Sequence, residues 1–356
     1  MSEEIISPEK NEQPELIRGV GVFGATALNM IDMIGVGPFI TMPLIIAAMG
    51  GPQAMIGWIV GALLVICDGL VWAELGASMP KSGGPYYYLK EIYGASKLGR
   101  LMSFLFIWQL TFSAPLSIAS GSIGFAGYAS YAFPSLDKTF FAQELKFAFP
   151  FLGDFTLNIA ATIGTLVAIS MVLFCVFLLY RKITIIEKFS KFLWIGVIIT
   201  IAWVIFAGVT NFNPKLAFDF PPNAFELNEK FFLGLGAALL ISVYDYWGYY
   251  NVCFFAGEVK NPEKTIPRSI MLSIGLVSVI YIVMNISVLG VIPWQEFSET
   301  ASSDARKFVI SVFMERLYGP TAGIIVTILI MWTAFASVFS QTRKSQISEH
   351  LNLPFR

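Results

Sequence analysis

The chain of 356 residues contains a single histidine, His350, and three cysteines, Cys67, Cys175 and Cys253. One histidine in a polar tail excludes His-ligated metal sites, haem ligation and a His general base. The cysteines fall inside apolar runs and read as small buried hydrophobes, not as a disulfide framework. Charge is scarce: 13% of residues are Asp, Glu, Lys or Arg, and the net charge is −1. Soluble domains carry about 25% charged residues. A nucleic-acid partner would need a basic footprint, and none exists. The first 18 residues also lack the basic region and short apolar core of a cleaved leader. The first apolar run is therefore expected to be a mature membrane segment. No cofactor and no metal is expected.

Apolar sequence is abundant, at 56% of residues. A helix crosses the hydrocarbon of a bilayer with about 20 apolar residues. Eight runs qualify, at 19–49, 54–79, 101–129, 157–180, 192–210, 231–256, 269–292 and 320–340. None is read as alternating, so a β-barrel is not expected. The organisation is a cytoplasmic extension (1–18), a transmembrane unit (19–340) and a polar tail (341–356). Of the 23 Lys and Arg residues, 16 fall on the side that includes the N-terminus and loops 2–3, 4–5 and 6–7. The positive-inside rule then places the N-terminus in the cytoplasm, with the chain integral to the cytoplasmic membrane and membrane lipid its surroundings.

Two of the runs are interrupted. The first, 31 residues long, would reach roughly 46 Å as one straight helix. It contains Asp32 and then Gly35-Val36-Gly37-Pro38. Proline removes a helix hydrogen bond and clashes with the preceding turn, so a break is expected there. The sixth run contains Tyr244-Asp245-Tyr246-Trp247-Gly248-Tyr249-Tyr250-Asn251, again an acid and a glycine at mid-span. Irregular backbone at membrane depth is tolerated only where it is buried in protein or lines a wet cavity. Broken helices in corresponding places point to a transporter built from inverted repeats. Half-helix N-termini attract anions, and half-helix C-termini offer carbonyls to cations.

Four segments carry a family resemblance. Ile34-Gly35-Val36-Gly37-Pro38-Phe39 is similar to the I-G-x-G-I-F break of the amino acid–polyamine–organocation superfamily of permeases. Glu74-Leu75-Gly76-Ala77-Ser78-Met79-Pro80-Lys81-Ser82-Gly83-Gly84-Pro85-Tyr86 resembles its E-L-x-x-x-x-P-x-x-G-G-x-Y segment. Tyr244-Asp245-Tyr246-Trp247-Gly248-Tyr249 resembles F-A-F-x-G-F, and Gly257-Glu258-Val259-Lys260-Asn261-Pro262 through Ile266-Pro267-Arg268 resembles E-V-K-N-P…I-P-R. The resemblance spans residues 16–340. It implies an all-α integral membrane protein of the inverted-repeat (5+5) transporter fold, with discontinuous helices 1 and 6. It implies a secondary transporter for an amino acid or related organic amine, working by alternating access and coupled to protons, and not an enzyme. The substrate carboxylate would meet N–H groups at Gly35, Val36 and Gly37, beside Ile34. The amino group would meet carbonyls near Asp32 and Met33, and near Tyr244, Trp247 and Gly248. Tyr244 stands where relatives carry an aromatic gate. Two positions depart from the pattern: Tyr250 replaces a usual glutamate, and Asp245 a usual small residue. The Gly-Pro-Phe run is closer to the polyamine-uptake branch, so polyamine or cationic amino acid uptake stays open.

Other polar residues carry competing readings. Gly19-Val20-Gly21-Val22-Phe23-Gly24 matches G-x-G-x-x-G but lacks the strand–turn–helix setting of a dinucleotide site; close helix packing explains it better. Asp32 and Asp245 are intramembrane acids, which default to function, against a capping role. Lys191 is a candidate proton-coupling residue or a positive-inside anchor. Glu74 reads as a packing residue, and Asp68 has no assignment. Asn285 and Gln109 are expected to bond between helices, while Trp72 and Tyr86-Tyr87-Tyr88 read as an interfacial belt. Arg306 to Tyr318 is an amphipathic stretch, a lid or surface helix. The family fold has ten core helices, so eight runs suggest a second repeat lacking its last two, either a truncated permease or a variant with fewer helices. A transport-inactive remnant acting as an interaction protein is the rival function. The substrate and the oligomeric state are not readable.

Overall fold

The computed structural model describes residues 18–94, 97–149, 153–179, 183–298 and 304–350. The chain runs α1 (Val22–Met33), α2 (Gly37–Met49), α3 (Met55–Ser78), α4 (Pro85–Tyr93) and α5 (Lys97–Ala132). A hairpin of β1 (Thr139–Phe149) and β2 (Gly153–Thr162) follows, then α6 (Ile163–Leu179), α7 (Ile183–Thr210) and α8 (Pro214–Ala217). The remainder is α9 (Glu229–Asp245), a 3-10 segment Asn251–Glu258, α10 (Pro262–Leu289), α11 (Val309–Tyr318) and α12 (Pro320–His350). Among the described residues, five helices are long and apolar enough to cross a membrane, and the bent α1–α2 pair passes the same test as one unit. The protein is a multi-pass membrane protein of helical build.

The expected runs correspond to these helices with instructive differences. The first run is broken, with α2 bent 54° from α1. The sixth run is α9, a turn, and the 3-10 segment in place of a continued α-helix. The fourth begins at Ile163 rather than residue 157, because the preceding residues belong to β2. The hairpin is an antiparallel two-stranded sheet pairing Leu145 with Leu157 and Gln143 with Ile159. It is the one β element among the described residues and departs from an all-helical expectation. Its signal was present, since Asp154 to Ile159 alternates polar and apolar residues with period two. The eighth run continues helically beyond residue 340, to His350, so the polar tail begins as an extension of α12. The residues before Arg18 lie outside the described part.

α3 packs along α10, α5 along α12, α1 against α10, and α2 against α9. The first and sixth spans are thereby held against the α3–α10 pair, α1 on α10 and α9 on α3. A knot of buried rings stands behind them. Trp58 of α3 meets Tyr246 at 5.8 Å and Tyr281 of α10 at 5.3 Å, both edge-on. Such pairs add about 0.5–1.5 kcal/mol beyond the area they bury.

Two motifs of the sequence do scaffold work at one end of these spans. The Gly19–Val20 backbone pairs with the Glu258–Lys260 backbone: Lys260 N–H donates to the Val20 carbonyl at 2.9 Å, and Gly19 N–H to the Glu258 carbonyl at 2.9 Å. The G-x-G-x-x-G match is therefore a chain entry pinned to the sixth span. The Ser82–Gly83 turn reaches the same place. Ser82 Oγ accepts from Gly257 N–H at 3.2 Å, and Gly83 N–H donates to the Phe254 carbonyl at 3.2 Å. α11 is not a surface helix. Its first six residues, Val309 to Met314, are all buried, against α12.

Candidate functional site

α1 ends because Ile34 leaves helical geometry at φ −89°, ψ 78°, its N–H still bonded to the Met30 carbonyl at 2.8 Å. Gly35 N–H turns back to the Met33 carbonyl at 3.1 Å. α2 then starts at Gly37, with Pro38 in its first turn, where a missing N–H costs nothing. The first N–H groups of a helix have no internal acceptor. Among the described residues, none meets those of Val36 and Gly37. Val36 is buried and Gly37 half-buried.

The sixth span breaks at the same depth. α9 ends on Asp245, the chain turns through Tyr246 to Tyr250, and Gly248 takes φ +126°. A side chain there would be strained, and its Cβ would lie 3.0 Å from the Asp32 backbone. Gly37 has the mirror-image role, for a Cβ on it would lie 2.5 Å from Asp245 Oδ1. Each break thus uses a glycine to admit the acid of the other.

The acids complete that exchange. Asp32 Oδ2 accepts from Asn251 Nδ2 at 2.6 Å, and its Oδ1 from Ser340 Oγ of α12 at 2.9 Å. Asn29, one turn earlier on the same face, accepts the Val252 N–H at 3.0 Å. The end of α1 therefore caps the start of the 3-10 segment. Conversely, Asp245 Oδ2 is hydrogen-bonded to Thr41 Oγ1 in the first turn and a half of α2. Asp245 is 4% exposed, and its Oδ1 has no hydrogen-bond partner. The two acids meet at the crossing through different side-chain partners, Asn251 and Ser340 for one and Thr41 for the other.

Tyr281 of α10 ties the two ends together. Its buried hydroxyl donates to the Met33 carbonyl at 2.6 Å and lies 3.3 Å from the Asp245 carbonyl. The Tyr244 carbonyl accepts the Trp247 N–H at 3.0 Å. Carbonyls at both half-helix ends thus already have partners within the chain. The outward side of the crossing belongs to the rings of Tyr244 and Trp247, 50% and 54% exposed.

Behind Gly248 lies a second polar cluster. Tyr249 donates to Asp68 Oδ2 on α3, as does Trp72 Nε1 at 2.9 Å. Trp72 stacks on Tyr250 at 4.6 Å, and Trp247 Nε1 donates to Tyr250 OH at 2.7 Å. Asp68, which had no reading, and Trp72, expected in an interfacial belt, both brace the sixth-span break. Tyr88 is 2% exposed and likewise no belt residue. Asn285 donates within its own helix, to the Tyr281 carbonyl at 2.7 Å, and not to a neighbour. Lys191 lies on α7, but its side chain falls outside the described residues.

A broken first span clasping a broken sixth is the arrangement to set beside known proteins. The model of the amino acid permease family matches residues 20–343. The chain belongs to that family. Its members are permeases and not enzymes. A serine/threonine exchanger of Bacillus subtilis is 28% identical over 97% of this chain and 71% of its own length. A branched-chain amino acid permease of the same organism is 26% identical, over 83% of the chain and 59% of the relative. The human cystine/glutamate transporter is 26% identical, over 93% of the chain and 60% of the relative. The chain therefore spans between 59% and 71% of the length of these three relatives.

Thr41, Asn251, Ser340 and Tyr281 were not singled out as site residues from the sequence. Thr41 carried a signal, being a polar residue one turn beyond Gly37 in an apolar helix. Tyr281 carried none, because a tyrosine in an apolar run looks the same whichever carbonyl it meets.

Proposed function

We propose that the chain carries the substrate site of a secondary transporter that moves an amino acid or related organic amine by alternating access around the two breaks. The observation that carries this reading is the reciprocal clasp, Asp32 against Gly248 and Asn251, Asp245 against Gly37 and Thr41. Polar, irregular backbone at mid-span is costly in a bilayer unless protein or a wet cavity surrounds it. Here two such stretches meet, with half-exposed rings on one side. In this reading the substrate carboxylate takes the N–H groups of Val36 and Gly37, with Gly35 and Ile34 shaping the turn. Tyr244 and Trp247 wall the site beside Gly248. The ammonium group faces the end of α1 at Asp32 and Met33 and the end of α9 at Asp245.

The matching spacing of Asp32 to Gly35 and Asp245 to Gly248, together with the exchange of partners, favours inverted repeats. The named relatives agree on amino acids and differ in side chain, so the substrate class follows them and the individual substrate does not. The setting is the cytoplasmic membrane, with the N-terminus inside and transport coupled to protons; Lys191 is the coupling candidate from the sequence. Uptake of a cationic amino acid or polyamine is the second reading, favoured if both acids at the crossing are ionised while substrate is bound.

Counterflow into liposomes containing the purified chain tests this, with labelled serine, leucine, arginine and putrescine. Saturable exchange of at least one is expected; none at all would refute transport by this chain. Orientation is tested separately. In a cysteine-free background, Ser135→Cys and Asn223→Cys should react with an impermeant thiol reagent from outside, and failure of both would invert the topology.

A further inference from the structure

An ionised carboxylate at Asp245 would leave its buried Oδ1 without any donor among the described residues. Thr41 has one hydroxyl hydrogen and two neighbours that want it. Its Oγ1 lies 3.0 Å from the Gly37 carbonyl, in donor geometry, and is bonded to Asp245 Oδ2 as well. The Gly37 carbonyl can only accept. If Thr41 donates to it, the hydrogen in the Thr41–Asp245 bond must come from Asp245. The other oxygen, Oδ1, is buried and unpartnered. An isolated buried carboxylate costs far more than a neutral group, and such groups neutralise instead.

Among the described residues, no cation pairs with Asp245. α9 packs on α2 and α3, Tyr281 of α10 reaches the Asp245 carbonyl, the end of α1 meets Gly248, and Ser337 of α12 lies against Gly35. α2 has no charged residue. α3 carries Asp68 and Glu74, of which Asp68 is bonded to Tyr249 and Trp72. The charged residues of α10, Glu263, Lys264 and Arg268, lie at its far end from Tyr281. Asp32 lies across Gly248, held by Asn251 and Ser340. The titratable groups turned to Asp245 are the phenols of Tyr246 and Tyr281.

We propose that Asp245 is the proton-binding site of the transporter, neutral in this conformation and donating its proton to Thr41. The proposal rests on the transport reading for its coupling role, but not for the protonation itself. Loss of the proton to water leaves Oδ1 and Oδ2 as acceptors only. Thr41 then turns its hydrogen from the Gly37 carbonyl to Asp245, and the free charge beside Gly37 is drawn to the unpartnered N–H groups that open α2. Those are the groups assigned to the substrate carboxylate, so proton loss and anion binding compete for one helix end. A proton on Asp245 favours substrate, and its release favours an empty site.

Infrared difference spectroscopy of the chain in liposomes reads the protonated acid directly, through the carbonyl stretch of a carboxylic acid. Titration from neutral to alkaline pH, where ordinary carboxyls are already ionised, should remove one such band, absent altogether in Asp245→Asn and shifted in Thr41→Val. Should Asp245→Asn not fold, the shift in Thr41→Val still decides. A band unaffected by both variants belongs to another acid and overturns the proposal, as does the lack of any band. For the coupling role, uptake driven by an inward proton gradient is expressed relative to counterflow in the same variant. That ratio should fall at least tenfold in Asp245→Asn. An unchanged ratio sinks the coupling role while leaving transport standing. Absence of flux in the native chain sinks both.

Discussion

The two breaks do the same job with different means. The first is short: three residues separate α1 from α2, and the α-helix resumes at once. Ile34 and Val36 are 2% and 4% exposed. Everything needed to make it is local, namely two glycines to leave the helix and a proline to restart it. The sixth break is longer and resumes as a 3-10 segment, whose hydrogen bonds are poorer. It contains no proline. Its shape is imposed from outside, by Asn29 and Asp32 of α1, Asp68 and Trp72 of α3, and the Ser82 turn. A bend coded locally persists when its neighbours move; a bend held by neighbours follows them. The first break is therefore expected to keep its shape better than the sixth when neighbouring helices shift.

That contrast orders the mutations. The largest effect falls on the glycines at the mutual contact. Gly37→Val drives a branched side chain into the Asp245 carboxyl, and Gly248→Val adds backbone strain to a clash with Asp32. Overpacking alone costs about 1–3 kcal/mol, and a forced positive φ about 1–2 kcal/mol more. Both variants should lower the thermal midpoint in detergent and lose substrate binding, Gly248→Val the more severely. Equal stability of either variant with the parent would break the reciprocal picture.

Next comes the acid that braces the sixth break. Asp32→Ala leaves Asn251 and Ser340 without their acceptor, and hydrogen bonds to charged groups are worth about 1.5–3 kcal/mol. Its expected signature is proteolytic sensitivity or fast hydrogen exchange at 248–258, with 34–37 still protected. Loosening of the first break instead would show that the sixth keeps its shape better. Tyr281→Phe removes one hydroxyl shared by both ends, for about 0.5–1.5 kcal/mol. Hydrogen exchange should rise equally at Ile34–Gly37 and Tyr246–Gly248, and a one-sided change would show that the hydroxyl serves only Met33. The smallest effect is expected for Pro38→Ala. It relaxes the unfolded chain and costs about 0.4–1 kcal/mol, because Gly35 and Gly37 still make the bend. A denaturation midpoint shifted as far as in Asp32→Ala would mean that the proline, not the glycines, sets the first break.

The sequence alone located most of the helices, because long apolar runs have few stable forms in lipid, but not the strand that opens the fourth run. It also located both interruptions, since a glycine–proline run and mid-span acids conflict with a buried helix on local grounds. Family membership was legible from four short segments, although their physical work was not. Ser82 and Gly83 hold the sixth span by contacts to Phe254 and Gly257, more than 170 positions away in the chain. Tertiary structure decided the partners. Asp32 and Asp245 are the same residue type at the same spacing from a glycine, yet Asn251 and Ser340 donate to both oxygens of one, while among the described residues the other meets Thr41 and keeps a bare oxygen. Trp72 became a brace rather than a belt residue because α3 lies against the sixth span. Asn285 turned to its own helix, donating to the carbonyl one turn back. Periodicity reports which face of an element is apolar. Which polar atom that face will meet depends on how elements cross, and that is fixed only when the whole core packs.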